Sequence, residues 1–127
     1  MHLKRFGDFA LDWSRIFAAK VERSSESNST IKVHIYSNFP GVPSSELLTP
    51  TTFNDWNEAG NVWRLFTESK EFKTFEDQVA VHWDKVCKIT LSPPTVLFDV
   101  GNDKSATLKL DPSIVAVMLE AVQKGQR

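Results

Sequence analysis

The sequence predicts an α+β protein in which an antiparallel sheet of about five to seven strands packs with two helices. Three observations support this fold class. Apolar and polar residues alternate in several short segments, aromatic residues recur at helical spacing in one segment, and the last apolar segment carries helix start and stop residues. The central helix is predicted over about 50–68 and the carboxy-terminal helix over about 112–124. A chain of 127 residues has the size of one domain, so residues 1–127 are treated as a single domain.

The first two strands are predicted on either side of a polar turn at residues 24–29. Within residues 5–24 the apolar positions fit a helix or a strand, and we favour a strand over 15–23 because a clear strand follows. Residues 30–37 alternate apolar and polar side chains, which is the pattern of a half-buried strand. A hairpin of 15–23 with 30–37 is the simplest arrangement.

The central helix is predicted after a loop at residues 38–50, which contains three prolines and one glycine. Pro50 fits the first helical turn, and Thr52 with Asp55 resembles a capping box. Four aromatic residues and one glycine then form a stripe at spacings of three and four: Phe53, Trp56, Gly60, Trp63 and Phe66. A glycine in a helix interior commonly permits close approach of another backbone. The stripe indicates a helix that packs on a sheet.

Residues 78–91 show the cleanest alternation in the chain, broken at Lys85. One strand of this length would span ~46 Å, so we expect a bulge or a turn at Asp84-Lys85. The pattern leaves open whether the segment is one strand or a hairpin. Pro93-Pro94 ends the strand region, and residues 69–77 receive no element.

A second hairpin is predicted around the turn at residues 101–104. Val96, Phe98 and Val100 share one face, and residues 106, 108 and 110 are apolar as well. Only an odd loop length pairs these apolar positions with each other. We therefore expect Phe98 opposite Leu108 or Ala106.

The carboxy-terminal helix has a complete set of boundary signals. Asp111 is the N-cap, Pro112 occupies the first turn and Gly125 is the stop. Apolar residues cover most of the circumference between these boundaries, which is typical of a helix in a core or in an interface.

No internal repeat is visible by residue identity. The predicted order of elements, however, resembles that of a known class of protein module. The second half consists of four predicted strands followed by a helix, and this order is similar to that of whirly and PUR-type single-stranded nucleic-acid-binding modules. The resemblance implies a sheet face that binds nucleic acid. Lysines that could supply phosphate contacts are Lys32, Lys85, Lys88 and Lys109.

Composition and charge exclude several classes of protein. Fifteen Lys and Arg residues against sixteen Asp and Glu residues give no basic excess, which argues against a dedicated duplex-DNA binder. The single cysteine cannot form an intramolecular disulfide, and the amino terminus has no secretory signal, so we expect a cytoplasmic protein. The sequence has no apolar run that could cross a membrane, and no nucleotide, zinc or dithiol motif. No cofactor or metal site is predicted.

His82 and Cys87 are the candidate catalytic residues. A two-residue turn at Asp84-Lys85 would place His82 opposite Cys87, where an imidazole could activate the thiol. In a continuous strand the two side chains would lie on opposite faces. Cys87 also belongs to the apolar set of positions, which indicates a buried and inert thiol.

The leading functional hypothesis is a small non-enzymatic protein that acts through a protein partner, of the inhibitor, immunity or antagonist type. It depends on the missing catalytic motifs, the near-zero net charge and the abundance of Phe and Trp. Candidate partner-binding residues are Trp56, Trp63, Trp83, His34 and Tyr36. The tryptophans of the helix stripe fit a core position as well. The alternatives are a single-stranded nucleic-acid-binding module and a small enzyme that uses the Cys/His pair. A homodimer, joined by the last helix or by an open sheet edge, is a further expectation.

Overall fold

The computed structural model describes residues 3–6, 9–23, 31–39, 43, 46–54 and 56–125. In this part of the chain no helix is both long enough and apolar enough to span a membrane.

The described residues form ten strands and two α-helices. The first half contains β1 (Leu3–Phe6), β2 (Phe9–Asp12), β3 (Ile16–Arg23), β4 (Ile31–Ser37), β5 (Thr51–Phe53) and α1 (Trp56–Glu68). The second half contains β6 (Phe72–Phe75), β7 (Val79–His82), β8 (Val86–Thr90), β9 (Thr95–Gly101), β10 (Lys104–Lys109) and α2 (Pro112–Gln123). A first 3₁₀ turn (Trp13–Arg15) joins β2 to β3, and a second 3₁₀ turn (Trp83–Lys85) joins β7 to β8.

Every described strand pairing is antiparallel, and the strands form three sheets. The largest sheet has the order β5-β4-β3-β7-β6, the second has the order β10-β9-β8, and β1-β2 forms the third. The α+β class with a central and a carboxy-terminal helix is confirmed. The strands are distributed over three sheets because the 3₁₀ turns carry the chain from one sheet to another.

The two halves of the chain have the same order of elements: two strands, a 3₁₀ turn, three strands and a helix. The residues that flank the two turns also share a backbone conformation. Asp12 and His82 have φ of −71° and −74° and ψ of 105° and 97°. Ile16 and Val86 have φ of −87° and −74° and ψ of 129° and 124°. The chain therefore contains a structural repeat.

Strand pairing supports the same equivalence. The β3–β4 register shifts between Ile16 and Ala18, and the β8–β9 register shifts between Val86 and Lys88. Positions in β2 and β3 thus correspond to positions in β7 and β8 at a constant offset. In the other elements we match residues by their order within the corresponding strand or helix, and we call all matched positions counterparts. Residue identity does not reveal the repeat because a core requires apolar side chains of suitable volume rather than particular residues.

Two hairpins agree with the sequence-based expectations. β3 pairs with β4, as predicted for residues 15–23 and 30–37. β9 pairs with β10, and Phe98 lies opposite Ala106, one of the two expected partners. Asn102 and Asp103 both have positive φ in the intervening turn, and a bulge beside Lys104 sets the register that pairs apolar positions.

The central helix begins at Trp56, six residues after the predicted start at Pro50. Thr51–Phe53 instead form β5, which pairs with Val33–Ile35 of β4. Two β-branched threonines at the open edge of a sheet favour this strand. The predicted capping box is therefore wrong, and Asp55 lies outside the described residues. The expected close backbone approach at Gly60 is also wrong, since a Cβ there would have no atom within 4 Å.

Residues 78–91 form neither one strand nor a hairpin. β7 belongs to the five-stranded sheet and β8 to the three-stranded sheet, and the second 3₁₀ turn separates them. The preceding β6 received no prediction. Its two buried residues, Phe72 and Phe75, are three positions apart, so the alternation that indicates a strand is missing.

Two hydrophobic clusters form the core. The first lies between α1 and the five-stranded sheet and includes Trp13, Phe66 and Phe72. The second lies under α2 and includes residues from both halves, such as Phe17 and Phe98, whose rings are 5.1 Å apart. The first cluster likewise contains Phe72 of the second half, so the two halves share both clusters.

The boundaries of α2 agree with the sequence analysis. Asp111 Oδ1 accepts a hydrogen bond from the backbone N–H of Ser113 at 2.9 Å, and Pro112 is the first helical residue. Gly125 has a φ of 72°, the left-handed conformation that ends the helix.

Candidate functional site

A groove of about 260 Å³ lies between β8 and α2. Residues 86–89 of β8 form one wall, Leu119 and Val122 of α2 form the other, and Trp83 of the second 3₁₀ turn completes the lining. We call this site the β8–α2 groove. Its lining is mostly apolar, with the Cys87 thiol and the Lys88 ammonium on the strand side.

The groove runs along an open strand edge. Among the described strands β8 pairs only with β9, which lies on its other side. An edge strand presents backbone N–H and C=O groups that can pair with a further strand. The β8–α2 groove therefore combines backbone hydrogen-bonding groups with an apolar helix surface.

The counterpart of β8 is paired on both edges. β3 pairs with β4 on one side and with β7 on the other, where Ala18, Ala19 and Lys20 lie opposite Val81, Ala80 and Val79. The bulged strand of the first half thus accepts a strand on the edge that is open in the second half. The geometry of β8 is suited to the same pairing.

Phe66 of α1 and Val122 of α2, which lie near the corresponding edges of β3 and β8, differ in burial. Phe66 and Val122 each occupy the eleventh position of their helix. Phe66 is 0% exposed, because its ring lies 4.7 Å from that of Trp13 and 5.0 Å from that of Phe72. Val122 is 49% exposed and is one of four exposed large apolar residues in the described part of the chain. Phe66 thus has aromatic neighbours from both halves, whereas Val122 lacks comparable cover.

Cys87 is exposed, so the prediction of a buried thiol is wrong. Its Sγ atom is 3.7 Å from the carbonyl oxygen of Lys85. The counterpart of Cys87 is Phe17, which is fully buried in the second hydrophobic cluster. Cys87 is accessible because the groove beside β8 is open.

His82 lies apart from the groove, in the five-stranded sheet. Its Nε2 is 3.6 Å from Glu71 Oε2, and its ring centroid is 5.2 Å from that of Phe72. Burial, together with the nearby positive charge of Lys85, holds the pKa of His82 below its usual value. The two-residue turn that would place His82 opposite Cys87 is replaced by the second 3₁₀ turn, and a catalytic role for the pair stays a prediction.

The predicted tryptophans occupy different environments. Trp63 is 6% exposed, and its Nε1 donates a hydrogen bond to Asp77 Oδ1 at 3.0 Å. Trp83 lines the β8–α2 groove, is 9% exposed, and has a buried Nε1 without a hydrogen-bond partner. Trp56 is the first residue of α1, and its side chain lies outside the described part. Partner binding by these residues stays a prediction.

His34 and Tyr36 lie on one face of β4. His34 Nδ1 is 2.8 Å from Thr52 Oγ1, and its Nε2 is 3.2 Å from Glu22 Oε1. Tyr36 is buried against Phe17, and burial raises the pKa of its hydroxyl. These neighbours hold the two side chains in place. Their role in binding a partner also stays a prediction.

In the described residues no group of three His, Cys, Asp or Glu side chains is arranged to hold a metal ion. Comparison of the chain with protein-family models finds no match, and comparison with curated protein sequences finds none either. The geometry of the β8–α2 groove is therefore the basis for a functional proposal.

Proposed function

We propose that this is a non-enzymatic cytoplasmic protein of the inhibitor, immunity or antagonist type, and that its β8–α2 groove binds an extended segment of a protein partner. The observation that carries this proposal is the pairing of β3, the counterpart of β8, with a strand on the corresponding edge. A partner strand added to β8 would gain backbone hydrogen bonds, which is a common mode of peptide recognition.

The lining of the groove defines the chemistry of this segment. Leu119 and Val122 would contact an apolar side chain of the partner, and Ile89 extends the same surface along β8. Lys88 is exposed at the edge and would attract an acidic group. We therefore expect a segment in β conformation with at least one apolar side chain and a negative charge.

Affinity capture from host lysate, with and without nuclease, tests the proposal. Val122→Lys places a charge in the apolar wall, and we expect it to weaken partner binding about tenfold or more, since burial of an aliphatic side chain contributes ~1.5–3 kcal/mol. Leu48→Lys is the matched control, because Leu48 is also 49% exposed and does not line the groove.

A nuclease-resistant partner that is lost from Val122→Lys and retained by Leu48→Lys would support the proposal. Equal capture by both variants would place the contact elsewhere on the molecule. Capture that disappears after nuclease treatment would favour nucleic acid as the ligand.

The second candidate is single-stranded nucleic-acid binding. The specific observation in its favour is that the strands-then-helix order occurs twice in the chain. Lys32, Lys88 and Lys109 are exposed, whereas Lys85 donates a hydrogen bond to the carbonyl of Ser14. The exposed large apolar residues of the described part are aliphatic, so no stacking platform for bases is present there, and this candidate ranks second.

The salt dependence of oligonucleotide binding tests this second candidate. Binding of a labelled single-stranded oligonucleotide through several lysines should weaken steeply as salt concentration rises. Fluorescence anisotropy at increasing salt measures the slope, and a flat response would exclude a phosphate-dominated contact.

A further inference from the structure

The amino-terminal hairpin of β1 and β2 forms a sheet by itself. In the other half, the corresponding hairpin of β6 and β7 joins β3 and completes the five-stranded sheet. The burial of equivalent residues reflects this difference. Ala80 of β7 is fully buried, whereas Ala10, its counterpart in β2, is exposed.

Two exposed apolar residues, Leu3 and Val122, match two residues that contact each other in the five-stranded sheet and α1. Leu3 is the first residue of β1 and Phe72 is the first residue of β6, and both strands have four residues. Phe72 contacts Phe66, the counterpart of Val122. Leu3 and Val122 are 52% and 49% exposed, so the repeat pairs two of the four exposed large apolar residues of the described part.

We infer that the hairpin of β1 and β2 docks into the β8–α2 groove of its own chain and thereby controls access of the partner. The docked sheet has the order β10-β9-β8-β2-β1, which repeats the order β5-β4-β3-β7-β6 of the first sheet. By the register of β3 with β7, Ala10 lies opposite Ile89 and Leu11 opposite Lys88. The docking follows from the repeat, whereas the control of access rests on the proposed function.

The connection between β2 and β3 resembles the connection between β7 and β8. The backbone conformations that flank the two 3₁₀ turns agree within about 15°, so β2 leaves β3 in the direction in which β7 leaves β8. The turns are also in contact, because the Lys85 ammonium donates a hydrogen bond to the carbonyl of Ser14. A short covalent connection gives the hairpin a high effective concentration at β8.

An engineered disulfide tests the docking. Leu3→Cys and Val122→Cys are introduced together with Cys87→Ser, which removes the native thiol. Under mild oxidation we expect a disulfide within one chain, formed roughly tenfold faster than in the control pair because the docked hairpin holds the thiols together. The control is Leu3→Cys with Leu48→Cys, since Leu48 is as exposed as Val122 but is not its counterpart.

Two outcomes would overturn the docking. Disulfides that join two chains, seen as a dimer on non-reducing gels, would identify a second copy as the occupant. Formation no faster than in the control pair would show that the hairpin does not enter the groove. Peptide mapping of the oxidised monomer verifies the Leu3→Cys–Val122→Cys linkage.

The same variant separates the control of access from the proposed function. Partner binding by the oxidised variant should be weaker than binding by the same variant after reduction, because both forms carry the same substitutions in the groove and differ only in the disulfide. A partner that binds oxidised and reduced protein equally would overturn the control of access. The disulfide measurement requires no partner, so failure of the proposed function leaves the docking result intact.

Discussion

At the scale of single residues, burial determines what an apolar side chain contributes. Phe66 is fully enclosed by Trp13 and Phe72, whereas Leu48 leaves 49% of its surface in solvent. Phe66 belongs to the aromatic stripe that predicts a packed helix face, whereas Leu48 lies in the predicted loop at residues 38–50. The contribution to stability follows from the neighbours that the fold supplies.

Replacement of Phe66 should therefore destabilise the protein far more than replacement of Leu48. We expect Phe66→Ala to lower the free energy of unfolding by about 3–5 kcal/mol, because it removes buried surface and leaves a cavity. Leu48→Ala should change it by about 0.5 kcal/mol or less. Urea unfolding of the two variants measures the difference, and similar values would contradict the assigned burial.

His82 should make stability depend on pH. Burial and Lys85 lower its pKa below the value of 6.5 in the unfolded chain, while Glu71 and Asp84 raise it in part. The unfolded state binds more protons between the two values, so the contribution of His82 is complete above pH 6.5 and is lost as pH falls through the folded pKa. His82→Gln should reduce this loss of stability in urea unfolding between about pH 7.5 and about pH 5.

The acidic neighbour of His82 provides a control of opposite sign. Glu71 favours the protonated imidazole, so Glu71→Gln should lower the pKa of His82 further and increase the loss of stability in acid. A wild-type protein whose stability does not decrease below pH 6.5 would contradict the assignment.

At the scale of elements, the strength of the local pattern determined which elements were predictable. β4, the β9–β10 hairpin and α2 have clear alternation or boundary residues, and the structure contains all three. β1, β2, β5 and β6 have three or four residues each, too few to establish a period. Each of these short strands forms only beside a neighbouring strand, and the local sequence does not indicate which strand that is.

A short signal for the repeat was present in the sequence. Alanine precedes tryptophan by three positions, and a basic residue follows it by two, in residues 10–15 and again in residues 80–85. The signal spans only the 3₁₀ turns and their approaches, so a comparison by residue identity over the whole chain misses it. It marks the two 3₁₀ turns as equivalent, but it does not indicate which sheet each flanking strand joins.

Gly60 offers a stabilising substitution within α1. Its added Cβ would have no atom within 4 Å, so Gly60→Ala should raise the free energy of unfolding by ~0.8–1 kcal/mol through helix propensity alone. Gly101→Ala is the opposing control: Gly101 has a φ of 90°, where a side chain is strained. Urea unfolding of both variants tests the prediction, and a destabilising Gly60→Ala would indicate a close neighbour.

At the scale of the whole molecule, the two halves are joined through the second hydrophobic cluster and the five-stranded sheet. β7 of the second half pairs with β3 of the first, and Phe17 packs against Phe98 across the same boundary. Asn38 Nδ2 donates a buried hydrogen bond to the Val100 carbonyl at 2.9 Å. Neither half can retain its core when the other unfolds.

Unfolding should therefore occur in one cooperative transition. We expect far-ultraviolet circular dichroism and tryptophan fluorescence to give the same urea midpoint. Trp83 belongs to the second cluster, whereas Trp13 and Trp63 belong to the first. Trp83→Phe therefore removes the reporter of the second cluster, and the double variant Trp13→Phe/Trp63→Phe removes the reporters of the first. Two distinct transitions would show that the two clusters unfold independently.

The sequence by itself determined the α+β class, the β3–β4 and β9–β10 hairpins, and the limits of α2, because local periodicity and capping residues encode them. Only the tertiary structure decided that residues 78–91 are split between two sheets, that Cys87 is exposed and that β8 has an open edge. These properties depend on which strand lies beside another. That choice is made by contacts between residues far apart in the chain, and the local pattern of a strand is the same whether its edge is paired or open.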